Sequence, residues 1–456
     1  MKVDYCNSLC EIAKITGGEL VGNGSVQISS ICTDSRLCDN GSLFIPIRGE
    51  KFDGHEFIDS LCEQKGIACY LTENNVQENK VPYVLCDNTL YALAKIAGSY
   101  RNTFDLPVVG ITGTNGKTTT KELIFTVLNG SYSVHRNIKN YNNEIGVPFT
   151  LLQFDNSHNA AVIEMGMNHV GEIFRLSAIV RPDTAVITNI GAGHLEFLGT
   201  TQNVARAKSE IFSSMNAGST VFINRDTIHY DIVSEAALEK KLVVKSYGLH
   251  KESDITPDSY LLKEDSIVLN YKGVQITAPL YGVHNVMNTL AAIAVGEHMG
   301  VTLDLCAERL KGFKNESMRG HITEGRCRVI NDAYNSNPLS LENALRSVGT
   351  IYSSSRTIAV LGDMKELGSK ATDLHFECGA AVARYGFKRL YTLGKLASQI
   401  AEGAKENGMD RATIFSFENK EKLVEALLKD IKKDDVVLVK GSRSMKMEEV
   451  AEQLIR

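Results

Sequence analysis

The 456-residue chain contains no tryptophan, and none of its ten cysteines forms a C-x-x-C pair. The lack of tryptophan excludes nothing, but the lack of that cysteine pair removes the usual sequence signal for a zinc or redox site. Cys6 and Cys10 are spaced to share one helix face as readily as to hold a metal. Residues Met1–Cys6 show no basic region followed by an apolar stretch, so we expect a cytoplasmic protein with reduced, buried thiols.

Long apolar runs and an excess of positive charge are also missing. No run approaches the roughly 18 apolar residues of a membrane span, so we expect no membrane insertion. The formal net charge of −5 shows none of the excess positive charge that is typical of nucleic-acid-binding proteins. Any anionic substrate would therefore have to be bound by local clusters of Lys and Arg. No repeat or low-complexity segment is visible, and the length predicts roughly two to four domains.

The most informative segment that is present runs from Gly110 to Thr118 and reads GITGTNGKT. It follows the β-branched run Leu106–Val109 and precedes a stretch of helical apolar spacing, Thr119–Leu128. A strand, a glycine loop and a helix in this order predict a phosphate-binding loop, since inward-turned N–H groups and the helix N-terminus both attract phosphate. Lys117 would reach the β- and γ-phosphates, and the Thr118 hydroxyl would hold Mg²⁺. The predicted ATP-binding residues of the loop are Gly113, Thr114, Asn115, Gly116, Lys117, Thr118 and Thr119.

The loop departs from the strict pattern, because Ile111 stands where that pattern has glycine. A Gly-Lys-Thr sequence alone is weak evidence, and a structural glycine turn is the alternative. The strand, the helix and three glycines together favour nucleotide binding, but such loops bind ATP or GTP in many unrelated proteins and do not identify the reaction.

The pattern of apolar runs predicts an α/β fold in three domains. These are a small N-terminal α/β domain at 1–86, a central, mainly parallel domain with the phosphate loop at 87–312, and a Rossmann-like C-terminal domain at 313–456 that lacks G-x-G-x-x-G. Residues 250–283 favour an antiparallel addition to the central domain. The predicted strands are Val26–Ser29, Ser42–Pro46, Ile67–Leu71, Ala160–Ile163, Thr184–Thr188, Ser219–Ile223, Cys327–Ile330, Thr357–Leu361, Arg389–Leu393 and Val436–Val439.

Three charged or titratable residues follow the loop at positions that favour a site. Glu164 ends an apolar strand, where a carboxylate often completes a Mg²⁺ shell beside a phosphate loop; the alternative is an acid in solvent. His194 follows the next strand, so it should point into the same crevice, although a lone His is usually an ordinary residue. Lys208 by itself is interpreted as a solvated helical lysine.

Polar blocks occur in further loops. Asn140–Pro148 is rich in amides, which suit a polar substrate but equally suit a turn. His284-Asn285 precedes a predicted helix that begins at Val286. The C-terminal unit has Arg319 and three polar, glycine-bearing or amide-rich loops just past predicted strands, which suggest one ligand face. Those three loops are Asp332–Pro338, Leu361–Gly368 and Lys440–Ser444.

Together these blocks resemble the Mur ligase family of ATP-dependent amide-forming enzymes, over essentially the whole chain. In that family Ile111 is no departure, because the loop there reads Gly-x-Thr-Gly-Thr-Asn-Gly-Lys. The blocks Asn140–Pro148, Asp332–Pro338 and Leu361–Gly368 are most similar to the member that adds D-alanyl-D-alanine to UDP-N-acetylmuramoyl-tripeptide in peptidoglycan precursor synthesis. The Asp-Asn-Pro-Arg block of the member that adds the preceding diamino acid is absent.

The resemblance implies a role for each matching residue. Lys117, His194 and Lys208 would be catalytic, and Thr118, Glu164, His194 and a carbamylated Lys208 would hold Mg²⁺. Asn285, Arg319 and Asp332 would contact the adenine, phosphate and ribose of ATP. The substrates UDP-N-acetylmuramoyl-tripeptide and D-alanyl-D-alanine would be bound by Ser35, Arg36, Arg48, Gly49, Asn140, Asn142, Asn143, Tyr334, Asn335 and Asn337.

The resemblance also leaves alternatives. Another ligase of the family, which adds a different amino acid, is the nearest one. A nucleotide-binding regulator without synthetic activity and a kinase belong to other classes, and Glu164, His194 and the third domain argue against the regulator. We expect a monomer, with ATP and Mg²⁺ as cofactors.

Overall fold

The structure is a computed structural model, and it describes residues 8–49, 52–75, 81–138, 140–314, 318–353 and 355–456. Cys6 and the rest of Met1–Cys6 lie outside the described residues. Across the described ranges, no helix combines the length and the apolar character that crossing a membrane requires.

The N-terminal part is built on a five-stranded sheet. Its strands are β1 (Glu19–Val21), β2 (Ser30–Cys32), β3 (Ser42–Phe44), β4 (Cys69–Thr72) and β5 (Tyr83–Leu85). They lie in the order β1-β5-β4-β3-β2, and only β1 is antiparallel to its neighbour. Helices α1 (Leu9–Thr16) and α2 (Ile58–Gln64) accompany the sheet.

The predicted strand at Val26–Ser29 is wrong. Only an isolated bridge from Gln27 to Ser8 occurs there, and the strand β2 begins at Ser30. Ser30 is buried, and its hydroxyl lies 2.8 Å from that of Ser42 on β3. Three-residue strands with a buried serine offer too little alternation for the sequence pattern to place them.

The central part has a six-stranded, fully parallel sheet in the order β11-β10-β9-β6-β8-β7. The carboxyl ends of parallel strands share one edge, so the loops after β6, β8 and β9 meet there. A separate antiparallel sheet, β12-β13-β14, confirms the predicted addition. The strands are β6 (Val108–Thr112), β7 (Val134–Arg136), β8 (Ala160–Glu164), β9 (Thr184–Ile187), β10 (Thr220–Asn224), β11 (Val243–Tyr247), β12 (Ser259–Leu262), β13 (Ile267–Tyr271) and β14 (Val274–Ala278).

Nine helices among the described residues surround these two sheets. They are α3 (Thr89–Arg101), α4 (Lys117–Leu128), α5 (Gly146–Leu151), α6 (Glu172–Val180), α7 (Leu195–Leu198), α8 (Thr201–Ser209), α9 (Tyr230–Glu239), α10 (Val283–His298) and α11 (Leu303–Lys311).

The C-terminal part has a six-stranded sheet in the order β15-β16-β20-β17-β18-β19, parallel except for the edge strand β15. The strands are β15 (His321–Glu324), β16 (Arg328–Asn331), β17 (Thr357–Gly362), β18 (Arg389–Leu393), β19 (Ile414–Phe417) and β20 (Val436–Lys440). Its helices are α12 (Pro338–Ile351), α13 (Ala371–Arg384), α14 (Ala397–Glu406), α15 (Lys420–Asp430) and α16 (Glu448–Ile455). The predicted α/β fold class is confirmed, while the boundaries at 86/87 and 312/313 stay predictions.

The apolar core is divided unevenly along the chain. One cluster of buried residues runs from the N-terminal sheet through α3 into one face of the central sheet. In the C-terminal part, alternate residues of the strands feed two clusters, one on each face of the sheet. The N-terminal and central parts therefore share a core that the C-terminal part does not.

Candidate active site

The phosphate loop between β6 and α4 depends on two glycines. Gly113 has φ +152° and Gly116 has φ +78°, which L side chains rarely adopt. A Cβ at Gly113 would overlap the Thr188 hydroxyl, and one at Gly116 would lie 2.6 Å from Asn288 Oδ1. Ile111, by contrast, lies inside β6 and is fully buried, so the position at which the strict pattern has glycine needs none here.

Lys117 lies across the loop that precedes it. Its Nζ donates to the carbonyls of Gly113 at 2.8 Å and Thr114 at 3.2 Å. Burial lowers the pKa of Lys117, the carboxylate of Glu164 acts against that shift, and the charge of Arg319 adds to it. A bound polyphosphate would offset the cost of burying this cation.

The residues that follow β9 hold the loop in place. The carbonyl of Asn189 accepts from Thr114 N at 2.8 Å, and its Oδ1 accepts from Asn115 N at 2.9 Å. The Thr188 hydroxyl donates to the carbonyl of Asn115 at 2.6 Å. Neither Thr188 nor Asn189 was predicted as a site residue, although polar side chains at the end of a parallel strand are the signal that could have found them.

Glu164 ends β8 and is buried, with 1% of its surface exposed, which excludes a solvated acid. Its Oε1 accepts from Asn142 Nδ2 at 2.6 Å, whereas its Oε2 is buried and has no hydrogen-bond partner among the described residues. A buried carboxylate oxygen without a partner is costly, and a hard cation such as Mg²⁺ would satisfy it. The residues present therefore fit a divalent cation at this position.

The described residues offer few side-chain ligands for such a cation. No group of three or more His, Cys, Asp or Glu side chains with metal-site geometry occurs in the part of the chain that the structure describes. Mg²⁺ is usually held by one or two carboxylates together with substrate phosphates and water, and one buried carboxylate beside a phosphate loop matches that arrangement.

His194 lies directly before α7 on the loop after β9. That loop packs on the phosphate loop, since Gly191 N donates to the Thr114 hydroxyl at 3.0 Å. His194 has a left-handed backbone, with φ 56° and ψ 28°. Its Nδ1 lies 2.8 Å from Oε2 of Glu366, which belongs to the C-terminal part.

Lys208 is buried on the inner face of α8, with 1% of its surface exposed. The interpretation of a solvated lysine is therefore wrong; Val204, one turn earlier on the same face, is the signal for burial. Burial and the charge of Lys117 place the pKa of Lys208 well below its ordinary value.

Residues of the C-terminal part reach the phosphate loop. Asn115 and Asn337 form a reciprocal amide pair, with Nδ2–Oδ1 distances of 3.1 and 2.8 Å. Arg319 donates from Nη2 to the Thr118 hydroxyl at 3.1 Å, and its guanidinium lies 3.9 Å from the ring centre of Tyr334. Predicted ATP residues and predicted substrate residues thus meet at one cleft.

A buried lysine organises the neighbouring C-terminal loop. Lys440, at the end of β20, donates from Nζ to Asp332 Oδ2 at 2.6 Å and to the carbonyl of Asn335 at 3.0 Å. The sequence placed Lys440 in a polar loop but not among the site residues. Its position at a strand end beside that loop is the signal that could have identified it.

The first turn of α10 lies against the same cleft. The helix begins at Val283, so the prediction that it starts at Val286 is wrong and Asn285 is helical. Asn285 donates to the carbonyl of Tyr281 at 2.8 Å and accepts from Asn288 at 2.9 Å. Burial lowers the pKa of His284 to about 4.

The predicted substrate residues of the N-terminal part lie on two neighbouring loops. Ser35 and Arg36 follow β2, and Arg48 and Gly49 follow β3; the two strands are parallel, so both loops leave the same edge. Both arginines are exposed. Arg36 is held by Asp34 through two bonds of 2.9 and 2.6 Å, and Arg48 Nε donates to Asp53 at 2.9 Å.

The amide-rich segment has mixed contacts. Asn143 Oδ1 accepts from Gly146 N at 2.8 Å and thereby forms a turn. Asn142 bonds Glu164, and the carbonyl of Asn140 accepts from Asn142 N at 2.8 Å. Both the turn and a polar face beside Glu164 are present, and a substrate role for this segment stays a prediction.

Comparison with known proteins relates the chain to one protein family. Three family descriptions match successive ranges: "Mur ligase family, catalytic domain" at 27–101, "Mur ligase middle domain" at 111–296 and "Mur ligase, glutamate ligase domain" at 318–443.

Individual relatives match over nearly their whole length. The UDP-N-acetylmuramoyl-tripeptide–D-alanyl-D-alanine ligase of Bacillus subtilis is 37% identical over 97% of both chains. A crystal structure of MurF from Acinetobacter baumannii superposes with a TM-score of 0.90, at 27% identity and 98% coverage of both chains. MurF ligase from Thermotoga maritima, solved in complex with ADP, has a TM-score of 0.83, at 26% identity and coverage of 93% of this chain and 96% of that one. The family resemblance read from the sequence is confirmed: the chain belongs to the Mur ligase family, and within it to the MurF-type ligases.

Proposed function

We propose that this protein is an ATP-dependent ligase that joins D-alanyl-D-alanine to UDP-N-acetylmuramoyl-tripeptide in peptidoglycan precursor synthesis, with release of ADP and phosphate. The observation that carries the proposal is the convergence of three elements on one cleft: the phosphate loop, the open carboxylate oxygen of Glu164, and the C-terminal residues Arg319 and Asn337. Relatives named for this reaction match the full span of these elements.

The first step activates a carboxylate. Its hydroxide-like leaving group is too poor for attack by an amine, so ATP converts the tripeptide carboxylate to an acyl phosphate. For this transfer the substrate carboxylate and the γ-phosphate of ATP, which are both anions, must approach each other. Lys117 and Arg319, both at the phosphate loop, offset that repulsion and the charge of the transition state.

The second step forms the amide. The neutral amine of D-alanyl-D-alanine attacks the acyl carbon and a tetrahedral oxyanion forms. The intermediate collapses with loss of phosphate and of one proton from the nitrogen, which leaves the amide. Water must be kept from the acyl phosphate in the meantime. The amide pair between Asn115 and Asn337 brings the C-terminal part over the phosphate loop and supports this shielding.

Mg²⁺ would be held by Thr118, Glu164, His194 and a carbamylated Lys208. The cation would neutralise phosphate charge and orient the oxygens. The open Oε2 of Glu164 supports its part in this set. For Lys208, burial beside a second cation favours the neutral amine, which is the form that reacts with carbon dioxide to give an anionic carbamate.

The three substrates would be divided among the three proposed domains, 1–86, 87–312 and 313–456. The exposed arginines Arg36 and Arg48 at one sheet edge support UDP binding by the first domain. Tyr334, Asn335 and Asn337 lie on the loop after β16, beside the phosphate loop, which supports a D-alanyl-D-alanine site there.

Phosphate release tests the proposal. With ATP, Mg²⁺ and UDP-N-acetylmuramoyl-tripeptide, we expect sustained phosphate formation only when D-alanyl-D-alanine is added, together with the pentapeptide product by mass spectrometry. A panel of single amino acids and other dipeptides serves as control. Preference for a single amino acid, or a phosphorylated final product, would contradict the proposal.

The role of Lys208 has its own test. We expect Lys208→Ala to lose phosphate release, because the carbamate arm is gone, and added short-chain carboxylic acids to restore part of it. The wild-type protein should depend on bicarbonate. Failure of both the rescue and the bicarbonate dependence would remove the carbamate from the proposal.

We further propose that the acting unit is a monomer in the cytoplasm, where ATP is supplied. Light scattering coupled to size-exclusion chromatography, with and without substrates, tests the monomer. A stable dimer under assay conditions would contradict it.

A further inference from the structure

Two strained residues face each other across the boundary between the central and C-terminal parts. His194 has φ 56° and Glu366 has φ 63°, and both are non-glycine residues in the left-handed region. Such conformations are unfavourable for residues that carry a Cβ and persist where the surroundings enforce them. The strain therefore indicates that this contact is imposed from both sides.

The backbone around the pair shows how the contact is enforced. The carbonyl of Glu366 accepts from Glu196 N, in the first turn of α7, at 3.1 Å. A Cβ on Gly368 would lie 3.1 Å from the Cα of Glu196, so the loop packs closely on the start of α7. The Glu366 side chain is thus delivered to His194 by main-chain contacts of its own loop.

The two side chains then meet at one imidazole nitrogen. His194 Nδ1 lies 2.8 Å from Glu366 Oε2, and this nitrogen is buried without a well-angled hydrogen bond to any described residue.

A carboxylate at one imidazole nitrogen determines what the other nitrogen can do. If Nδ1 carries the proton and donates it toward Glu366, Nε2 keeps its electron pair and can bind a cation. We propose that Glu366 is a positioning residue for His194: the C-terminal part supplies it on docking, and it sets the ring and tautomer that His194 uses toward the Mg²⁺ of the proposed reaction. The inference rests on the proposed ligand role of His194. It also couples docking of the C-terminal part to cation binding, because the affinity for the cation then depends on docking.

The test uses three variants of the full chain. Glu366→Ala removes the acceptor, and Glu366→Gln keeps a neutral acceptor. Glu196→Ala is the matched control, since it removes an exposed carboxylate beside the same contact and leaves the backbone bond in place. Thermal melting checks that each variant folds.

Two readouts do not depend on turnover. In the metal-free protein, nitrogen NMR of labelled histidine at a pH where the ring is neutral should show His194 protonated at Nδ1 in the wild type and a tautomer mixture in Glu366→Ala. Mn²⁺ binding in the presence of a non-hydrolysable ATP analogue should weaken about 10- to 100-fold in Glu366→Ala, less in Glu366→Gln, and not in Glu196→Ala.

The outcomes separate this inference from the proposed function. Unchanged tautomer and unchanged Mn²⁺ affinity in a folded Glu366→Ala protein would overturn the positioning role, even if wild-type phosphate release is as proposed. A wild-type protein without dipeptide-dependent phosphate release would overturn the proposed function. In that case the tautomer and Mn²⁺ shifts would still support Glu366.

Discussion

The central part of the molecule meets its two neighbours in opposite ways. Toward the N-terminal part the boundary is apolar and continuous: Leu93 and Ile96 on α3 are fully buried in the cluster shared by both sheets. A Cβ at Gly98 of the same helix would lie 3.1 Å from Ile179 on α6.

Toward the C-terminal part the recorded contacts at the phosphate loop are polar. They are the amide pair Asn115–Asn337, the bond from Arg319 to Thr118 and the approach of Glu366 to His194. The apolar clusters of the C-terminal part consist almost wholly of its own residues.

The difference indicates where the molecule can open. Apolar surface that is exposed costs about 25 cal/mol per Å², and water offers no compensation. A hydrogen bond exchanged for water costs only about 0.5–1.5 kcal/mol net. We therefore expect the N-terminal and central parts to move as one body, and the C-terminal part to swing away and dock when substrates bind.

The largest expected effect is on the shared core. Leu93→Ala should lower the free energy of unfolding by about 2–5 kcal/mol, because it leaves a cavity at the apolar boundary. Chemical denaturation followed by hydrogen exchange should show the N-terminal and central sheets losing protection together. Leu427→Ala, buried in the C-terminal part alone, is the control. If Leu93→Ala loosens only the N-terminal sheet, the two parts are separate bodies.

A smaller effect is expected at the polar boundary. Asn337→Ala removes the amide pair and also the cap of α12, whereas Asn419→Ala removes only the equivalent cap of α15. The lost cap should cost about 1 kcal/mol of stability in each variant, and the lost amide pair should add about another 1 kcal/mol in Asn337→Ala. Only Asn337→Ala should weaken substrate-induced compaction in small-angle scattering. Equal compaction in both variants would contradict a role of the Asn115–Asn337 amide pair in docking.

The smallest effect should appear with pH. His284 is partly buried beside Tyr281, near Asp332 and Lys440, and desolvation lowers its pKa to about 4 from 6.5. Because the pKa of His284 is lowered in the docked form, His284 binds a proton more readily when the C-terminal part has moved away. Docking should therefore weaken as the pH falls from about 6.5 toward 4. Scattering over this range measures the shift, and a His284→Gln variant should flatten it. A pH-independent wild type would show that His284 stays buried when the C-terminal part moves.

The sequence predicted some features and missed others for identifiable reasons. The buried strands β8, β17 and β20 were found, because continuous apolar runs of four or so residues are distinctive. The short strands β1 and β5 were not found, because three residues carry no usable period. The burial of Lys208 was also missed, although Val204 on the same face of α8 indicates it, because most other residues of that helix are polar.

The sequence by itself determined the phosphate loop, the family and the chemical types at the strand ends, because these depend on local spacing along the chain. Only the tertiary structure decided that Ile111 needs no glycine, that one oxygen of Glu164 is left open, and that Glu366 lies against His194. Those properties depend on which groups meet across the packed domains. Residues 172 positions apart along the chain acquire a shared role only when folding places their side chains 2.8 Å apart.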